Sequence, residues 1–510
     1  MNRSMYVGLS GVVLGMVTAP LDGMMLGPAL PAIVSDLGGL ENFSWVMTAY
    51  LVAMAASTPI WGKLGDLYGR KVVYIAAIVV FLLGSGLSGL SQDMTQLVGF
   101  RAVQGLGGGG LMVGAIALIS EMVPPRQSGK LMGLIGTMMP IAFIAGPLVG
   151  GLLTERLSWR WTFYVNLPIG AVALLLIGFA VRLAPRRIKA RIDFLGASLL
   201  TVGLVALSLL TSWGGTQYAW ASVPIVSLAA TVVVALTVFI HVERHAAEPI
   251  VPLRLFADRN FTLAQILRFL GGVGMVVAAN FLPQYMQIVQ GASPTESGLL
   301  ILPSMLGMVL VMIRTGQLIT RNGRYRIYPI LGGAALTVGM LVLLALRTDT
   351  NLALASGLTL IGGVGVGLLM QSTTIITMNS AEPRDMGAAS GSITLWHTMG
   401  ASLGVAVLGA LYTSRLQDTL IDHLGAEAGK RIFSGGELTA QALTAFPAAM
   451  REATQIAVSS GVHAMAIGCA VLGLVAFALS WFVREIPLRD SLPYEPNTTD
   501  LPNREGALHV

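Results

Sequence analysis

The sequence predicts an all-α polytopic membrane protein with 14 transmembrane helices. Of its 510 residues, 54% are apolar and only 11% are charged, whereas about a quarter of the residues of a soluble globular protein are charged. Apolar stretches recur along the whole chain, and each is long enough to cross a hydrocarbon layer about 30 Å thick. The 61 glycines also suit membrane helices, which pack through small residues.

The predicted spans follow these apolar stretches in order. They lie at 8–34, 44–61, 72–91, 95–120, 130–153, 160–181, 194–212, 222–241, 260–288, 297–319, 327–346, 352–379, 386–412 and 453–483. The first is too long, and too interrupted by Asp22, Pro28 and Pro31, to be a cleaved signal peptide. An even number of spans puts both termini on one side. If that side is the cytoplasm, cytoplasmic segments hold about three times as many Lys and Arg as outer segments, which is the usual bias.

Composition and motifs exclude several classes of function. The net charge of +6 is spread over short loops, so we expect no nucleic-acid partner. The single Cys469 excludes a disulfide framework and a multi-cysteine metal site. Gly105, Gly107 and Gly110 match a dinucleotide-binding spacing but lie inside a predicted span, without the strand that this motif requires. No phosphate-binding loop or nucleophile-and-base arrangement occurs, so we expect no enzyme, metal or cofactor.

An internal duplication divides the chain. Segment 62–71 realigns with 316–325, and a second set of residues realigns at one constant offset. These are Gly99, Gly105, Gly107, Gly109, Leu111 and Met112, matched with Gly357, Gly363, Gly365, Gly367, Leu369 and Met370. Parallel repeats of this kind indicate a transporter with its site between the halves.

The predicted domains follow from this duplication. They are a six-helix bundle at 1–183, two inserted helices at 184–258, a second six-helix bundle at 259–486 and a disordered cytoplasmic tail at 487–510. The second bundle contains a polar outer loop at 413–452. Its apolar spacing at Leu416, Leu420 and Leu424 fits either a surface cap or a loosely packed loop.

Several motifs resemble those of one known family. Segment 62–71 (GKLGDLYGRK) resembles the loop motif of the major facilitator superfamily, and 101–105 (RAVQG) resembles its fourth-span motif. Segment 146–151 (GPLVGG) is similar to the motif of its antiporters. Leu21-Asp22 with 28–31 (PALP) resembles the first span of its fourteen-span drug/proton antiporters, the EmrB/QacA-like multidrug efflux transporters.

The residues Trp159, Arg160, Trp161, Phe163, Asn166 and Pro168 complete that pattern. The resemblance implies the major facilitator fold and proton-driven export. The sequence departs from the family pattern in two places. Gly23-Met24-Met25 stands where relatives often carry a threonine and small aliphatic residues, and Leu67 stands where they often carry a basic residue.

Asp22 and Arg101 are the candidate proton-coupling residues. Asp22 is the carboxylate that we place deep inside a span, where a charge is costly and usually functional. A buried carboxyl can load and release a proton as its surroundings change. Helix rise places Asp22 and Arg101 at nearly the same depth, so a switchable pair is possible. The competing interpretation is a static structural pair.

A second candidate site lies in the loop after the second span. Asp66 can cap a helix N-terminus while Arg70 holds its carboxylate. The resemblance implies that Asp66 and Arg70, with Gly62 and Gly69, form a cytoplasmic latch. Ordinary loop charges would explain the basic residues but not the fixed glycines. In the second half Thr320 replaces the aspartate, so the latch should be asymmetric.

The fifth span carries a candidate hinge of the antiporter. It consists of Gly146, Pro147, Gly150 and Gly151. A proline inside a helix frees backbone groups and bends it. The hinge and simple local packing remain open alternatives.

The predicted substrate cavity combines soft apolar side chains with a few hydrogen-bonding groups, which suits varied amphipathic ligands. Its candidate residues are Met24, Met25, Gln104, Asn280, Phe281, Gln284, Gln371, Trp396 and His397. Core packing or lipid contact competes with this role at each methionine and aromatic position. Arg314 can snorkel to the interface, whereas Arg268 lies deeper and could favour neutral or anionic cargo.

Together these observations predict proton-coupled efflux of hydrophobic or amphipathic drugs or antibiotics by alternating access. The expected partners are a small hydrophobic or amphipathic substrate, protons and the lipid bilayer. We expect a monomer in the cytoplasmic (inner) membrane with both termini in the cytoplasm. Two alternatives remain: an exporter of one metabolite or lipid with incidental drug resistance, and a sensor or scaffold that transports nothing.

Overall fold

The computed structural model describes residues 3–38, 43–123, 138–181, 193–214, 218–246, 249, 251–277, 281–292, 294–348, 350–382, 385–429 and 446–488. Within these ranges the chain forms 17 α-helices and two short 3-10 helices. The α-helices are α1 (Arg3–Leu37), α2 (Phe43–Tyr68), α3 (Arg70–Leu90), α4 (Met94–Met122), α5 (Met138–Arg156), α6 (Trp161–Tyr164), α7 (Asn166–Ala180), α8 (Phe194–Trp213), α9 (Val223–His245), α10 (Arg259–Val276), α11 (Leu282–Ile288), α12 (Pro294–Leu300), α13 (Leu302–Asn322), α14 (Ile327–Val342), α15 (Leu352–Ser380), α16 (Met386–Leu424) and α17 (Ala448–Ser480). The 3-10 helices are Leu253–Ala257 and Leu343–Ala345.

The apolar composition places most of the long helices in a membrane. In the described ranges, ten helical segments are long and apolar enough to cross one. Many of their large apolar side chains are exposed, among them Leu83, Phe179 and Val223. Apolar side chains that point outward at this density suit contact with lipid, which solvates them as well as a protein core does.

Two of the predicted spans are each divided into two α-helices. The span at 160–181 is divided at Val165 into α6 and α7, and the span at 297–319 is divided at Ile301 into α12 and α13. The span at 260–288 contains α10 and α11, on either side of residues outside the described part. Both α11 and α13 begin with a proline in their first two positions, where the ring fits without costing a hydrogen bond.

The predicted outer loop at 413–452 is partly helix. α16 continues to Leu424 and ends at Gly425, which has a φ of 82° in the region that favours glycine. Leu416 and Leu420 are buried in the core of the second half. Over 413–424 the stretch is therefore an ordered helix whose apolar stripe packs inward, and not a loosely packed loop. The surface cap stays a prediction for the segment as a whole. Residues 430–445 and 489–510, which include most of the predicted tail, lie outside the described residues.

The helices of the two halves pack in the same pattern. α2 and α3 both pack on α4, and in the second half α13 and α14 both pack on α15. The contact between α1 and α5 has its counterpart in the contact between α10 and α16. Between the halves in sequence, α8 and α9 pack on each other, and α8 also contacts α2 and α16. Thus the repeated sequence segments form repeated packing units.

The halves meet where α2 ends and α16 begins, at the face that the charge bias predicts to be cytoplasmic. α16 packs on both α2 and α4. A Cβ atom on Gly62 would lie 2.6 Å from the carbonyl oxygen of Gly387, so the two backbones are in direct contact. Ser390 Oγ also donates to the carbonyl oxygen of Val113 at 2.8 Å. The halves are therefore closed against each other at this face.

Candidate functional site

Asp22 lies on α1 at the centre of a buried polar cluster. Its side chain is 1% exposed and that of Arg101, on α4, is fully buried. Arg101 Nη1 donates to Asp22 Oδ2 at 2.5 Å, and Gln104 Nε2 donates to Oδ1 at 2.9 Å. Asn166 Nδ2, at the start of α7, also donates to Oδ1 at 2.7 Å. Three helices thus supply the carboxylate and its donors, which is the arrangement that a buried charge needs.

The guanidinium of Arg101 has further neighbours. It lies 4.1 Å from the centroid of the Tyr50 ring, and its Nε donates to the carbonyl oxygen of Val46 at 3.3 Å. Its Nη1 also donates to Gln104 Oε1 at 2.7 Å. Its Nη2 is buried without a hydrogen-bond partner among the described residues. The cluster therefore keeps one spare donor next to the carboxylate.

Close helix packing positions these groups. A Cβ atom on Gly84 would lie 2.4 Å from the backbone nitrogen of Gln104, so the glycine lets α3 approach α4 at that point. Ser85, the next residue, accepts a hydrogen bond from Asn166 Nδ2 at 3.0 Å and donates to the carbonyl oxygen of Phe163 at 2.9 Å. These contacts fix the amide of Asn166 with its donor toward Asp22.

Asn166 and Ser85 were not among the predicted site residues. Asn166 appeared in the sequence only as part of the motif resemblance, and Ser85 is one of many serines in apolar spans. An asparagine inside a predicted span is itself a signal, because its amide must be satisfied within the bundle. Nothing in the sequence pattern around Ser85 singles it out.

Asp66 joins the two halves. Its Oδ1 accepts a hydrogen bond from the backbone nitrogen of Gly387 at 2.8 Å, and its Oδ2 accepts one from that of Ala388 at 2.9 Å. The carboxylate of α2 thus caps the N-terminus of α16, where orphan N–H groups and the helix dipole favour a negative charge. Gly387 allows this approach, since a Cβ atom there would lie 2.6 Å from Asp66 Oδ1.

Arg70 holds the same carboxylate from within the first half. Its Nη2 lies 3.1 Å from Asp66 Oδ1, and its Nη1 lies 3.4 Å from Glu121 Oε2. The short turn between α2 and α3 passes through Gly69, whose φ of 94° is costly for residues with a side chain. A second ion pair lies beside it: Arg254 Nη2 contacts both carboxylate oxygens of Asp385, at 2.8 and 3.0 Å.

The candidate hinge residues of α5 pack on α1. A Cβ atom on Gly146 would lie 2.3 Å from Met24 Cβ, and one on Gly150 would lie 2.3 Å from the carbonyl oxygen of Met25. Gly151 faces more open space, 3.9 Å from Pro28. Pro147 belongs to the same helix, and its side chain lies outside the described part. Gly146 and Gly150 therefore pack directly against Met24 and Met25, just after Asp22 in α1. We call this contact the seam between α1 and α5.

The predicted cavity residues do not form one lining. Met24 and Met25 lie in the seam between α1 and α5, because the glycines of α5 leave room for direct packing. Gln104 belongs to the Asp22 cluster. Phe281 packs against Tyr412 in the core of the second half, with ring centroids 5.3 Å apart. Asn280 and the side chain of Gln284 lie outside the described part of the chain.

The other predicted cavity residues are on two helices of the second half. Gln371 is on α15, and Trp396 and His397 are on α16. The Trp396 ring lies 6.3 Å from that of Phe269 on α10. Arg268, the residue before Phe269, donates from Nη1 to the carbonyl oxygen of Met370 at 2.8 Å. Arg268 is thus within one packed group with the aromatic residues.

A separate, partly open apolar pocket lies in the second half. It is bordered by α10, α13, α14 and α15, and its lining includes Met305, Met308, Thr359 and Gly362. Thr359 and Gly362 occupy the repeat positions of Arg101 and Gln104. The second half therefore has an apolar space where the first half has its charged cluster.

Comparison with known proteins identifies the family. The sequence profile of the Major Facilitator Superfamily matches this chain twice, over residues 12–197 and 194–405. An MFS-type transporter of Mycobacterium tuberculosis is 38% identical over 94% of this chain and 70% of its own length. The multidrug transporter protein MdtP of Bacillus subtilis is 36% identical over 82% of this chain and 77% of its own length.

A solved structure agrees in fold. That of the human organic anion transporter MFSD10 matches with a TM-score of 0.64 at 15% identity, over 94% of this chain and all of the other. At that identity the likeness bears on the fold alone. The duplicated helix packing, the profile matches and these relatives agree, and the chain belongs to the Major Facilitator Superfamily, whose members are membrane transporters and not enzymes.

Proposed function

We propose that this protein exports hydrophobic or amphipathic drugs or antibiotics in exchange for protons, by alternating access. The observation that carries the proposal is the buried Asp22 carboxylate, held between Arg101, Gln104 and Asn166. An acid at this depth is costly to keep and is rarely found without a function. The multidrug transporter among the relatives supports the substrate class.

Protonation of Asp22 would change the packing of three helices. A carboxylate accepts hydrogen bonds at both oxygens, whereas a protonated carboxyl carries a donor and no charge. Arg101 on α4 would then lose its counterion, and its spare Nη2 donor would gain no partner from Asp22. The low-energy response is a shift of α1 relative to α4 and α7, which lets Arg101 find other acceptors or water.

The seam between α1 and α5 would transmit this shift. Met24 and Met25 follow Asp22 closely in α1, and they contact Gly146 and Gly150 without intervening side chains. Packed interfaces of this kind have few stable arrangements and do not deform gradually. A displacement of α1 at Asp22 would therefore displace the part of α5 that packs on it, and a hinge at Pro147 would let α5 bend there.

The Asp66 latch would set which face is open. With Asp66 capping α16, the predicted cytoplasmic face is closed, and the site can open only toward the outside. A helix cap of this type contributes about 0.5–2 kcal/mol. Such a contact can be broken by the binding of a proton or of cargo, because typical coupling energies are of the same size, about 1–3 kcal/mol.

The membrane arrangement completes the proposal. It consists of 14 spans in the cytoplasmic membrane, with both termini in the cytoplasm, and of a monomer built from two six-helix bundles at 1–183 and 259–486. The charge bias of the connecting segments supports this orientation. The inserted helices α8 and α9 extend the first half beside α2.

Transport by the reconstituted protein tests the proposal. In proteoliposomes with an acidic lumen, we expect uptake of a fluorescent amphipathic compound that stops when a protonophore removes the gradient. Uptake that never responds to the proton gradient, for any compound, would contradict the proposal. Growth of cells with and without the gene on several toxic compounds separates a multidrug exporter from an exporter of one metabolite, which would protect narrowly.

A further inference from the structure

A cation without a counterion among the described residues lies halfway along α10. Arg268 is the tenth residue of this helix, so it lies about 14 Å from its start, near the middle of a hydrocarbon layer about 30 Å thick. Its Nη1 donates to Met370 O and, at 3.3 Å, to Thr374 Oγ1. Its Nε is buried without a hydrogen-bond partner in the described part of the chain, and none of the ion pairs found there includes Arg268.

A histidine ring nitrogen lies near this cation. His397 on α16 rests against α10 at Gly272, one turn after Arg268, and a Cβ atom on residue 272 would lie 3.2 Å from His397 Nδ1. This Nδ1 is also buried without a partner among the described residues. Either ring nitrogen of a neutral histidine can carry the proton, so Nδ1 can act as a donor.

Aromatic rings border the same group. The Trp396 ring lies 6.3 Å from the rings of both Phe269 and Phe256. Phe269 is next to Arg268 on α10, and Phe256 precedes this helix at its predicted cytoplasmic end. An apolar wall therefore adjoins the unpaired donors.

A buried charge is normally paired, because leaving water costs several kcal/mol that only a counterion repays. Arg101 follows this rule through Asp22, whereas Arg268 has only neutral oxygens as acceptors. A guanidinium has a planar fork of donors that matches a carboxylate. The missing counterion is therefore best supplied by a molecule that carries an acidic group.

We propose that Arg268 and His397 bind the acidic group of the cargo, and that this protein carries amphipathic organic anions. The carboxylate or a similar acid would accept from Arg268 Nε and His397 Nδ1, while the apolar part lies against Trp396 and Phe269. This inference rests on the proposed export function and specifies the charge of its substrate. The proton site and the cargo site are then in different halves.

The binding of three matched probes to the purified full-length protein in detergent tests this site. The probes are dansylglycine with a carboxylate, dansylglycinamide with a neutral amide, and a dansyl compound with a trimethylammonium group. We expect dansylglycine to bind at least about tenfold more tightly than the other two. In the Arg268→Gln variant, all three should bind alike. Arg268→Lys should retain part of the preference, because it keeps the charge but not the fork.

Arg314→Gln is the matched control, since Arg314 is an exposed arginine on α13 and its removal should leave the preference unchanged. Equal binding of the three probes by the wild type would overturn the site, as would a preference that survives in Arg268→Gln. If Arg268 only fixed Met370, the variant would lose thermal stability while the probes kept their order, which also overturns the site.

The two proposals can fail separately. If dansylglycine binds with the expected preference but no proton gradient drives its transport, the anion site stands and proton-coupled export is wrong. If a gradient drives export of neutral or cationic compounds while the protein shows no preference for the carboxylate probe, export stands and the anion site is wrong.

Discussion

The carboxylate of Asp22 accepts hydrogen bonds from three donors. Two come from α4 and one from α7, so the hydrogen bonds of Asp22 depend on how α1, α4 and α7 are placed relative to one another. Asn166 is the one donor of the three that comes from α7, whereas Arg101 and Gln104 are both on α4. Loss of the Asn166 amide should weaken the cluster without removing the ion pair between Arg101 and Asp22.

We therefore expect Asn166→Ala to lower the thermal stability of the protein. A hydrogen bond to a charged group contributes about 1.5–3 kcal/mol, and the variant leaves one carboxylate oxygen with a donor fewer. In an Asp22→Asn background the same substitution should cost much less, because the charge is absent. Thermal unfolding of the four proteins of this cycle measures the coupling. An equal loss in both backgrounds would show that Asn166 acts elsewhere.

Asp36, at the outer end of α1, gives a prediction about pH. Hydrogen bonds from Arg160 and Trp159, at 2.6 and 3.0 Å, hold the pKa of Asp36 below its ordinary value of 3.8. Because the pKa is lower in the folded protein, the carboxylate stabilises the fold fully above the pKa of the unfolded chain. This contribution is lost as the pH falls through the folded value.

Acidification from about pH 6 to about pH 3 should thus lower the Tm of the wild type more than that of Asp36→Asn. The difference should be small, since the side chain of Asp36 is half exposed and solvent screens the pair. Thermal unfolding across this pH range provides the measurement. A Tm that falls equally in both proteins would assign the acid sensitivity to other groups.

At the scale of helices, the seam between α1 and α5 depends on two glycines. Replacing Gly150 by alanine would place a Cβ atom 2.3 Å from the carbonyl oxygen of Met25, which separates the helices or distorts α1 beside Asp22. We expect Gly150→Ala to reduce transport at least about tenfold while the protein still reaches the membrane. Gly151→Ala is the control, because its Cβ atom would lie 3.9 Å from Pro28.

Initial rates of transport in proteoliposomes, with the amount of inserted protein measured for each variant, check this expectation. Equal rates in Gly150→Ala and Gly151→Ala would mean that the seam adjusts without consequence for transport.

The helices themselves were predictable, because apolar length is a strong signal in membrane proteins. Their interruptions were less so. Pro303 was visible in the sequence, yet a proline is tolerated inside membrane helices, so its presence alone does not decide between a bend and a break. The length of α16 could not be read from hydropathy, since its last turns are polar on one side while Leu416 and Leu420 are buried.

At the scale of the whole molecule, the carboxylate of Asp66 joins the two halves at the predicted cytoplasmic face. Asp66 bonds to Gly387 and Ala388, more than 300 residues further along the chain. The sequence indicated that Asp66 could cap a helix, but no local sequence pattern could predict that this helix would be α16. The partner became apparent only from the three-dimensional arrangement. The same limit applies to Met24 and Met25, whose composition suited a cavity but whose neighbours are glycines of α5.

Neutralising Asp66 should open the predicted cytoplasmic face. Asp66→Asn keeps one accepting oxygen but removes the negative charge at the N-terminus of α16, an interaction of about 0.3–2 kcal/mol, which corresponds to a shift of up to about thirtyfold in the ratio of closed to open molecules. Spin labels at Tyr68 and Asn322, matched positions in the two repeats, report the distance between the halves. We expect a longer distance to become populated in the variant.

Lys71→Gln serves as the control for this measurement. Lys71 Nζ donates to the carbonyl oxygens of Gly178 and Val181, all within the first half, so its removal should leave the label distance unchanged. An unchanged distance distribution in Asp66→Asn would contradict the latch.

The central claim is that Asp22 exchanges the proton that drives export, and cargo-driven proton release from proteoliposomes tests it most directly. Adding a transported compound to the wild type should move protons across the membrane, as followed with a pH-sensitive dye. Asp22→Asn should bind the compound and release none. Proton movement of wild-type size in Asp22→Asn would contradict the account.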